Sequence, residues 1–417
     1  MSKRRKRSPR GSGREFLRFR MTDAGKLLAI GTMMAVAIGA VSLEVPIYTL
    51  FVTLLVLFVI AAAVGTVYWP RLLLGGGFEG KAVANHVVRG HYTLTNRTRL
   101  AAYDVSVGHF DLPEVVERVQ DADSVGRLAP GETVELSVAI RPLRRGLHTL
   151  AGLRYFTTFP FNLFRTGPRT GREEKLLVLP EFRPLSQVDI PIGTRYQPGG
   201  IALTSHVGER PEYIGNRNYR PGDPFRRVDP RAWARLGTPV VKEYQEEYYC
   251  RIALVLDTYV PRRRGKRGKR GFDDLEAGVS MTAAVADALS KGEHIIDLFA
   301  AGPDLYVFRS GRHTAHLDNV LEILACVEDC RTNPFEKITP ALSDELSNIS
   351  AVVFVMLDWD ESRRRLVRMA VEAGCATRVV IVREGEPRPE ASMDEGWAGH
   401  IMQVTPQQVR KGGIDRI

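Results

Sequence analysis

The chain has 417 residues, of which 44% are apolar and 25% charged, with a formal net charge of +10 at pH 7. That length exceeds one compact core and predicts two or three domains, while the ordinary apolar fraction excludes wholesale disorder. The charge excludes a uniformly basic nucleic-acid binder, because residues 1–20 hold a net +8 and "RRRGKRGKR" at 262–270 holds seven more basic residues with no acid, leaving a mildly acidic body.

Two apolar runs follow the basic segment 1–23. "LLAIGTMMAVAIGAVSL" (27–43) is uncharged across 17 residues and "IYTLFVTLLVLFVIAAAVGTVY" (47–68) across 22. At 1.5 Å per residue the second reaches about 33 Å, enough for a bilayer core of about 30 Å; the first is shorter but sufficient with interfacial help. Only Glu44, Val45 and Pro46 separate them, which predicts a transmembrane helical hairpin over 24–70. Tyr48, Tyr68 and Trp69 stand where an aromatic belt is expected. The positive-inside rule places the N-terminus in the cytoplasm, and a hairpin returns the bulk of the chain to that side. A cleaved signal peptide ending near "GAVS", with one remaining span, is the competing reading.

Between 78 and 180 short alternating stretches such as "HYTLTN", "YDVSVGHF" and "ETVELSVAI", separated by turn signals, predict a β-sandwich module. Phe159, Phe161 and Phe164 at its end read as side chains that close the sandwich.

Residues 181–249 form a linker containing the arginine-rich "NRNYRPGDPFRRVDPRAWARLG" at 216–237. Pro221, Gly222 and Asp223 specify a turn. Asp229 is placed to cap a short helix that starts at Pro230 and stops before Gly237. The arginines are expected to pair with the three glutamates of "KEYQEEYY" (242–249) and fix the linker against the sheet; binding an acidic segment of a partner is the other reading.

From 250 to 410 apolar strands such as "IALVL" (252–256), "AVVFVML" (351–357) and "RVVIV" (378–382) alternate with amphipathic helices, predicting an α/β doubly wound domain with a mainly parallel sheet. In such sheets ligands bind beyond the carboxyl ends of the strands. Asp257 and Asp358 follow two of those ends. Either they converge on a hard cation or each caps the next helix. Cys250, Cys326, Cys330 and Cys375 form no Cys-x-x-Cys pair and read as reduced thiols, with Cys326 and Cys330 on one helix face. The basic run 262–270 is either a flexible solvated insertion or a contact for anionic lipid headgroups or an acidic partner.

These residues carry a resemblance. The two N-terminal runs, "RRGLHTL…FPFNLF", "YIGNRNYRPGDPFRRVDPRAWARLG" and "ALVLD" together resemble the domain-of-unknown-function-58 family, bacterial membrane-anchored proteins with a von Willebrand factor A-like C-terminal half. The family pattern is matched at Arg217, Tyr219, Gly222, Asp223, Arg226, Ala234 and Arg235, with Arg227 and Trp233 in the same stretch; Pro230 stands where the family usually has Trp. The resemblance implies a multi-pass protein of the bacterial inner membrane that works with a MoxR-type AAA+ ATPase in assembling or maturing envelope or metal-dependent complexes. Metal-binding A-type domains hold Mg²⁺ with Asp-x-Ser-x-Ser and a distant Asp. Here the first strand ends Asp257-Thr258-Tyr259-Val260-Pro261, without both serines, so Mg²⁺ at Asp257 and Asp358 would rest on a degenerate site. Phosphate-loop, nucleophile-elbow and His-Glu-x-x-His signatures are absent from the sequence, and the nine histidines are scattered. The expectation is a non-catalytic interaction or scaffold protein without a required cofactor or nucleic-acid partner; the alternative is a metal-dependent hydrolase using Asp257 and Asp358.

Overall fold

A computed structural model of the chain describes residues 20–39, 45–109, 112–119, 124–168, 173–189, 212–245, 251–261, 272–291, 295–301, 305–308, 317–385 and 401–417. They form two compact units, one ending at Leu179 and the other beginning at Pro180. The N-terminal residues 1–19, most of the basic stretch, and the basic run 262–270 lie outside the described residues.

The first unit opens with helices α1 (Asp23–Gly39) and α2 (Val45–Val67). By length and composition, Tyr48–Val67 of α2 can cross a membrane. Helix α1 is described over 17 residues, which at 1.5 Å each span about 25 Å, so among the described residues one helix passes the length and composition test for a span. Ten strands follow: β1 (Leu72–Gly77), β2 (Lys81–Val83), β3 (Val88–Asn96), β4 (Ala102–Gly108), β5 (Val116–Arg118), β6 (Ser124–Leu128), β7 (Thr133–Pro142), β8 (Gly146–Leu150), β9 (Arg154–Thr157) and β10 (Glu174–Leu179). They make sheets of order β1-β3-β7-β5, β6-β4-β9 and β2-β10-β8. Alternation along β3, β4 and β7 sends Tyr92, Leu94, Val105, Leu136 and Val138 into one buried cluster. The sheet-rich region expected over 78–180 is therefore present, beginning at Leu72.

The aromatic segment 159–164 does something else than close those sheets. Phe159 stacks on Tyr103 at 5.0 Å and meets Tyr68 edge-on at 5.5 Å. Phe164 lies edge-on to Phe58 of α2 at 5.7 Å. Phe58, Ala61 and Gly65 recur at helical spacing along α2, with Tyr68 just past its end, and Ala61 and Gly65 are buried. At the start of α1, Thr22 N donates to Leu163 O at 3.2 Å, and a Cβ at Gly25 would lie 2.2 Å from that same oxygen. Phe159 and Phe164 thus join the helices to the β-module, and Phe161 is left exposed.

The second unit opens with the hairpin β11 (Glu212–Asn218) and β12 (Val240–Gln245), whose tip carries a 3-10 turn at Phe225–Arg227 and helix α3 (Pro230–Leu236). Next come β13 (Arg251–Leu256), α4 (Asp273–Ser290), β14 (Ile295–Ala301), β15 (Leu305–Phe308), α5 (Leu317–Cys326), α6 (Phe335–Ser343), β16 (Ala351–Met356), α7 (Glu361–Glu372), β17 (Ala376–Val382), β18 (Ile401–Val404) and α8 (Pro406–Lys411). The sheet order is β15-β14-β13-β16-β17-β18, parallel throughout except for the edge strand β15. Strands β13 and β16 are apolar and buried on both faces, which requires helices above and below. Helix α4 covers one face, where Gly278 lies against Leu357. On the other, Phe335, Ile338 and Leu342 of α6 and Leu366, Val367 and Ala370 of α7 pack on Ala253, Val255, Val352 and Phe354. The α/β expectation for 250–410 holds for the described residues. One correction concerns the thiols: α5 ends at Cys326, and Cys330 pairs with the backbone beyond β13, donating to Thr258 O at 2.9 Å, so the two do not share a helix face. Cys326 is exposed, Cys330 and Cys375 are buried, and all three are free thiols.

Candidate functional site

Strand β13 has β14 on one side and β16 on the other, so the point where strand order reverses lies at its carboxyl end. Leu256 is paired with Val355, which sends Asp257 and Asp358 out of neighbouring strand ends, as the spacing predicted. Their side chains have different partners.

Asp257 is fully buried. Its Oδ1 accepts from Tyr259 N at 2.9 Å, and its Oδ2 accepts from Leu357 N at 2.9 Å and from Arg363 Nε at 2.7 Å. Arg363 Nη2 also stands 2.7 Å from Oδ2. The guanidinium is itself 2% exposed and spends its remaining terminal nitrogen on Asp360 Oδ2, 2.5 Å away. Asp360 in turn caps α7 by accepting from Arg363 N at 3.1 Å. The rings of Phe335 and Tyr259 lie 5.2 and 5.6 Å from the guanidinium carbon. Burial works to lower the pKa of Arg363, but Asp257 and Asp360 outweigh it and raise the value, so the cation persists wherever the fold does. Asp358 is turned toward β17: its Oδ1 accepts from Trp359 N at 2.9 Å and from Arg383 Nη1 at 2.5 Å. Neither aspartate caps the following helix; Asp360 has that role.

A divalent cation needs about six oxygens. Both oxygens of Asp257 are already occupied by donors, one of them a full positive charge. Among the described residues no three His, Cys, Asp or Glu side chains group to hold a metal. The described residues do not fit Mg²⁺, because Arg363 supplies at Asp257 the positive charge that an ion would bring. Sequence reading missed Arg363. A signal existed: Arg363, Leu366, Val367 and Ala370 are the buried positions of α7, spaced i, i+3, i+4, i+7, so an arginine heads an apolar stripe.

The second set of singled-out residues sits at the tip of the β11–β12 hairpin. Arg217 grips Asp223 with both terminal nitrogens at 2.7 Å, and Asp223 Oδ2 also accepts from Arg220 N at 2.8 Å. Gly222 between them has φ 104°, a conformation that favours glycine. Tyr219 N donates to Pro239 O at 2.9 Å and closes the loop. Asp229 caps α3, accepting from Arg231 N at 3.0 Å and Ala232 N at 3.1 Å, with Pro230 at the first position and Gly237 left-handed at φ 70°. Turn and helix are therefore as the sequence predicted. Arg217 pairs inside the motif, and Arg226, Arg227 and Arg235 are exposed and make no ion pair with the described residues. The side chain of Glu243, and Glu246 and Glu247, lie outside the described residues. Tyr219 and Trp233 are exposed as well.

The fork makes a titration prediction. The Arg217 hydrogen bonds, then the Arg220 N–H, outweigh desolvation and hold the Asp223 carboxyl at about 2. A depressed folded value means the contribution is present above the ordinary carboxylate range and is lost as pH falls from about 4 through about 2. Carboxyl carbon NMR should find this midpoint, and Arg217→Gln should return it toward the ordinary range. A wild-type midpoint near 4 would mean that the fork is not formed in solution.

Comparison with known proteins places part of this chain. Residues 215–397 match the family model "Protein of unknown function DUF58". "Uncharacterized protein YeaD" of Bacillus subtilis (strain 168) is 22% identical over 232 residues, which cover 54% of this chain and 55% of that protein. The chain thus matches about half the length of that curated relative. Among solved structures, the CARDB domain of the PF1109 protein from Pyrococcus furiosus, in complex with di-metal ions, is 12% identical and covers 27% of this chain and 90% of its own, with a TM-score of 0.19. A beta-glucosidase from Listeria innocua in complex with gluconolactone is also 12% identical, over 26% of this chain and 16% of its own, with a TM-score of 0.17. Likenesses of that size carry no argument.

Proposed function

Residues 215–397 belong to the DUF58 family of unknown function, and from that premise we propose that the chain is a membrane-anchored, non-catalytic interaction protein. Its α/β part is a von Willebrand factor A-like domain. The support for this is the strand order, with the first strand central, an antiparallel third strand at one edge and carboxylates after the first and fourth strands of the sheet. Helices α1 and α2 form a two-span hairpin in the bacterial inner membrane, with the bulk of the chain on the cytoplasmic side. The partner is a MoxR-type AAA+ ATPase acting on cell-envelope or metal-dependent complexes, an assignment that rests on the family resemblance alone.

The observation that carries the non-catalytic reading is the Asp257–Arg363 pair. A carboxylate that works on a substrate needs a free lone pair and access, and Asp257 is fully buried with donors on both oxygens. Such a group braces the strand end instead of performing hydrolysis. A metal-dependent hydrolase would require Asp257 and Asp358 to share an ion. Calorimetric titration of the full chain in detergent with Mg²⁺ is expected to give no saturable heat. Saturable binding that Asp358→Ala abolishes would establish the hydrolase alternative. Tagged protein recovered from membranes is expected to carry a MoxR-type ATPase, identified by mass spectrometry; recovery without one removes that partner.

A further inference from the structure

Fixing the backbone of one residue costs about 1–2 kcal/mol, which folded elements ordinarily recover by burying side chains. The segment between Tyr219 and Gly237 does not. Only Ala232 in it is buried, while Phe225 is 78% exposed and Leu236 55%. Yet its shape is closely specified, by the Arg217–Asp223 fork, the Asp229 cap, left-handed Gly222 and Gly237, and the bonds Tyr219 N to Pro239 O and Asp229 N to Val240 O. A knob that is ordered without burial is ordered for what it presents.

What it presents is arginine and aromatic surface. Arg220, Arg226, Arg227, Arg231 and Arg235 are exposed, and none makes an ion pair among the described residues. Of the described residues, the acids of this segment are used internally, Asp223 by Arg217 and Asp229 by the helix cap. Beside these arginines stand Phe225, Trp233 and Leu236. Trp, Tyr and Arg are the residues that dominate protein–protein hot spots. Residues 212–237 contain no lysine. Anionic lipid attracts lysine and arginine alike, whereas the planar fork of arginine matches a carboxylate with two parallel bonds, as Arg217 does here.

We propose that this knob is the docking surface for an acidic, amphipathic segment of a partner protein, its carboxylates met by the arginine forks and its apolar side chains by Phe225 and Trp233. The inference rests on the interaction reading above and names the chemistry of the partner's contact.

The test places a photoreactive phenylalanine analogue at Phe225 of the full chain in native membranes, with the cross-linked peptides sequenced after irradiation. The expected adduct is a protein segment of net negative charge. Its yield should fall about tenfold in the Arg226→Glu, Arg235→Glu double variant, with an unchanged far-ultraviolet circular dichroism spectrum as the check on folding. Phe225→Ala, at a position that buries little, should likewise weaken recovery of the same protein. Adducts to lipid, to the chain itself, or to a segment without net negative charge overturn the docking surface, as does no adduct. If one partner protein copurifies equally with the wild type and the charge-reversed chain, the docking surface is wrong and the interaction reading stands. If none copurifies with the wild type and no adduct forms, both fall.

Discussion

Arg363→Ala is expected to destabilise the C-terminal unit by about 3–5 kcal/mol, the usual cost of removing one partner from a buried ion pair. The magnitude follows from what is left behind. Asp257 would keep its bonds from Tyr259 N and Leu357 N but would remain fully buried with no countercharge. Asp360 would lose the guanidinium contact while keeping its cap. Arg363→Lys should recover only part of the loss, because an ammonium cannot reproduce the fork. Replacing both members, Asp257→Leu with Arg363→Met, should recover most of it, since the desolvation cost of both charges disappears together. Trp359, 1% exposed and in the same apolar cluster, offers an emission probe for chemical denaturation of the full chain. A loss below about 1 kcal/mol in Arg363→Ala would show that another group neutralises Asp257.

Gly25→Ala should produce the second large effect, and its sign is the informative part. Inside an ordinary exposed helix this change stabilises by about 1 kcal/mol. Here the added Cβ would meet Leu163 O at 2.2 Å, and that oxygen is backbone held by Thr22 N. Relief requires α1 to move off the segment 162–164, which costs the hydrogen bond to Thr22 as well. Overpacking of this kind costs about 1–3 kcal/mol and outweighs the gain in helix propensity. The thermal midpoint of the detergent-solubilised chain should fall by several degrees. An unchanged or raised midpoint would show that α1 is not seated on that segment.

Local rules carried the reading a long way. Asp229, Pro230 and Gly237 mark the ends of α3 because capping is decided within a turn, and the apolar runs around Leu254 and Phe354 could be recognised as covered parallel strands because no half-exposed strand has that composition. What local rules could not supply is choice of partner. Asp257 and Arg363 are 106 residues apart, and in "ESRRRLVRM" three adjacent arginines look alike until the phase of the helix shows that the first one faces the core. The Phe159–Phe164 segment failed for the same reason. Its aromatics Phe159 and Phe164 are packing residues, as their composition suggests, but the surface they pack against includes α2, a helix far away in sequence. Pairing of the linker arginines is the kind of contact that local rules fix least, since exposed ion pairs stabilise by only about 0–1 kcal/mol and do not dictate a conformation.

The seating of α2 has a mechanical consequence. Its last turns, from Phe58 to Val67, and Tyr68 after them lie along the β-module, and only Tyr68, Trp69, Pro70 and Arg71 separate its end from β1. There is no slack at that joint. A load applied to those sheets would therefore reach α2 as a tilt or rotation of the helix itself, so this end of the protein behaves as a lever rather than a leash.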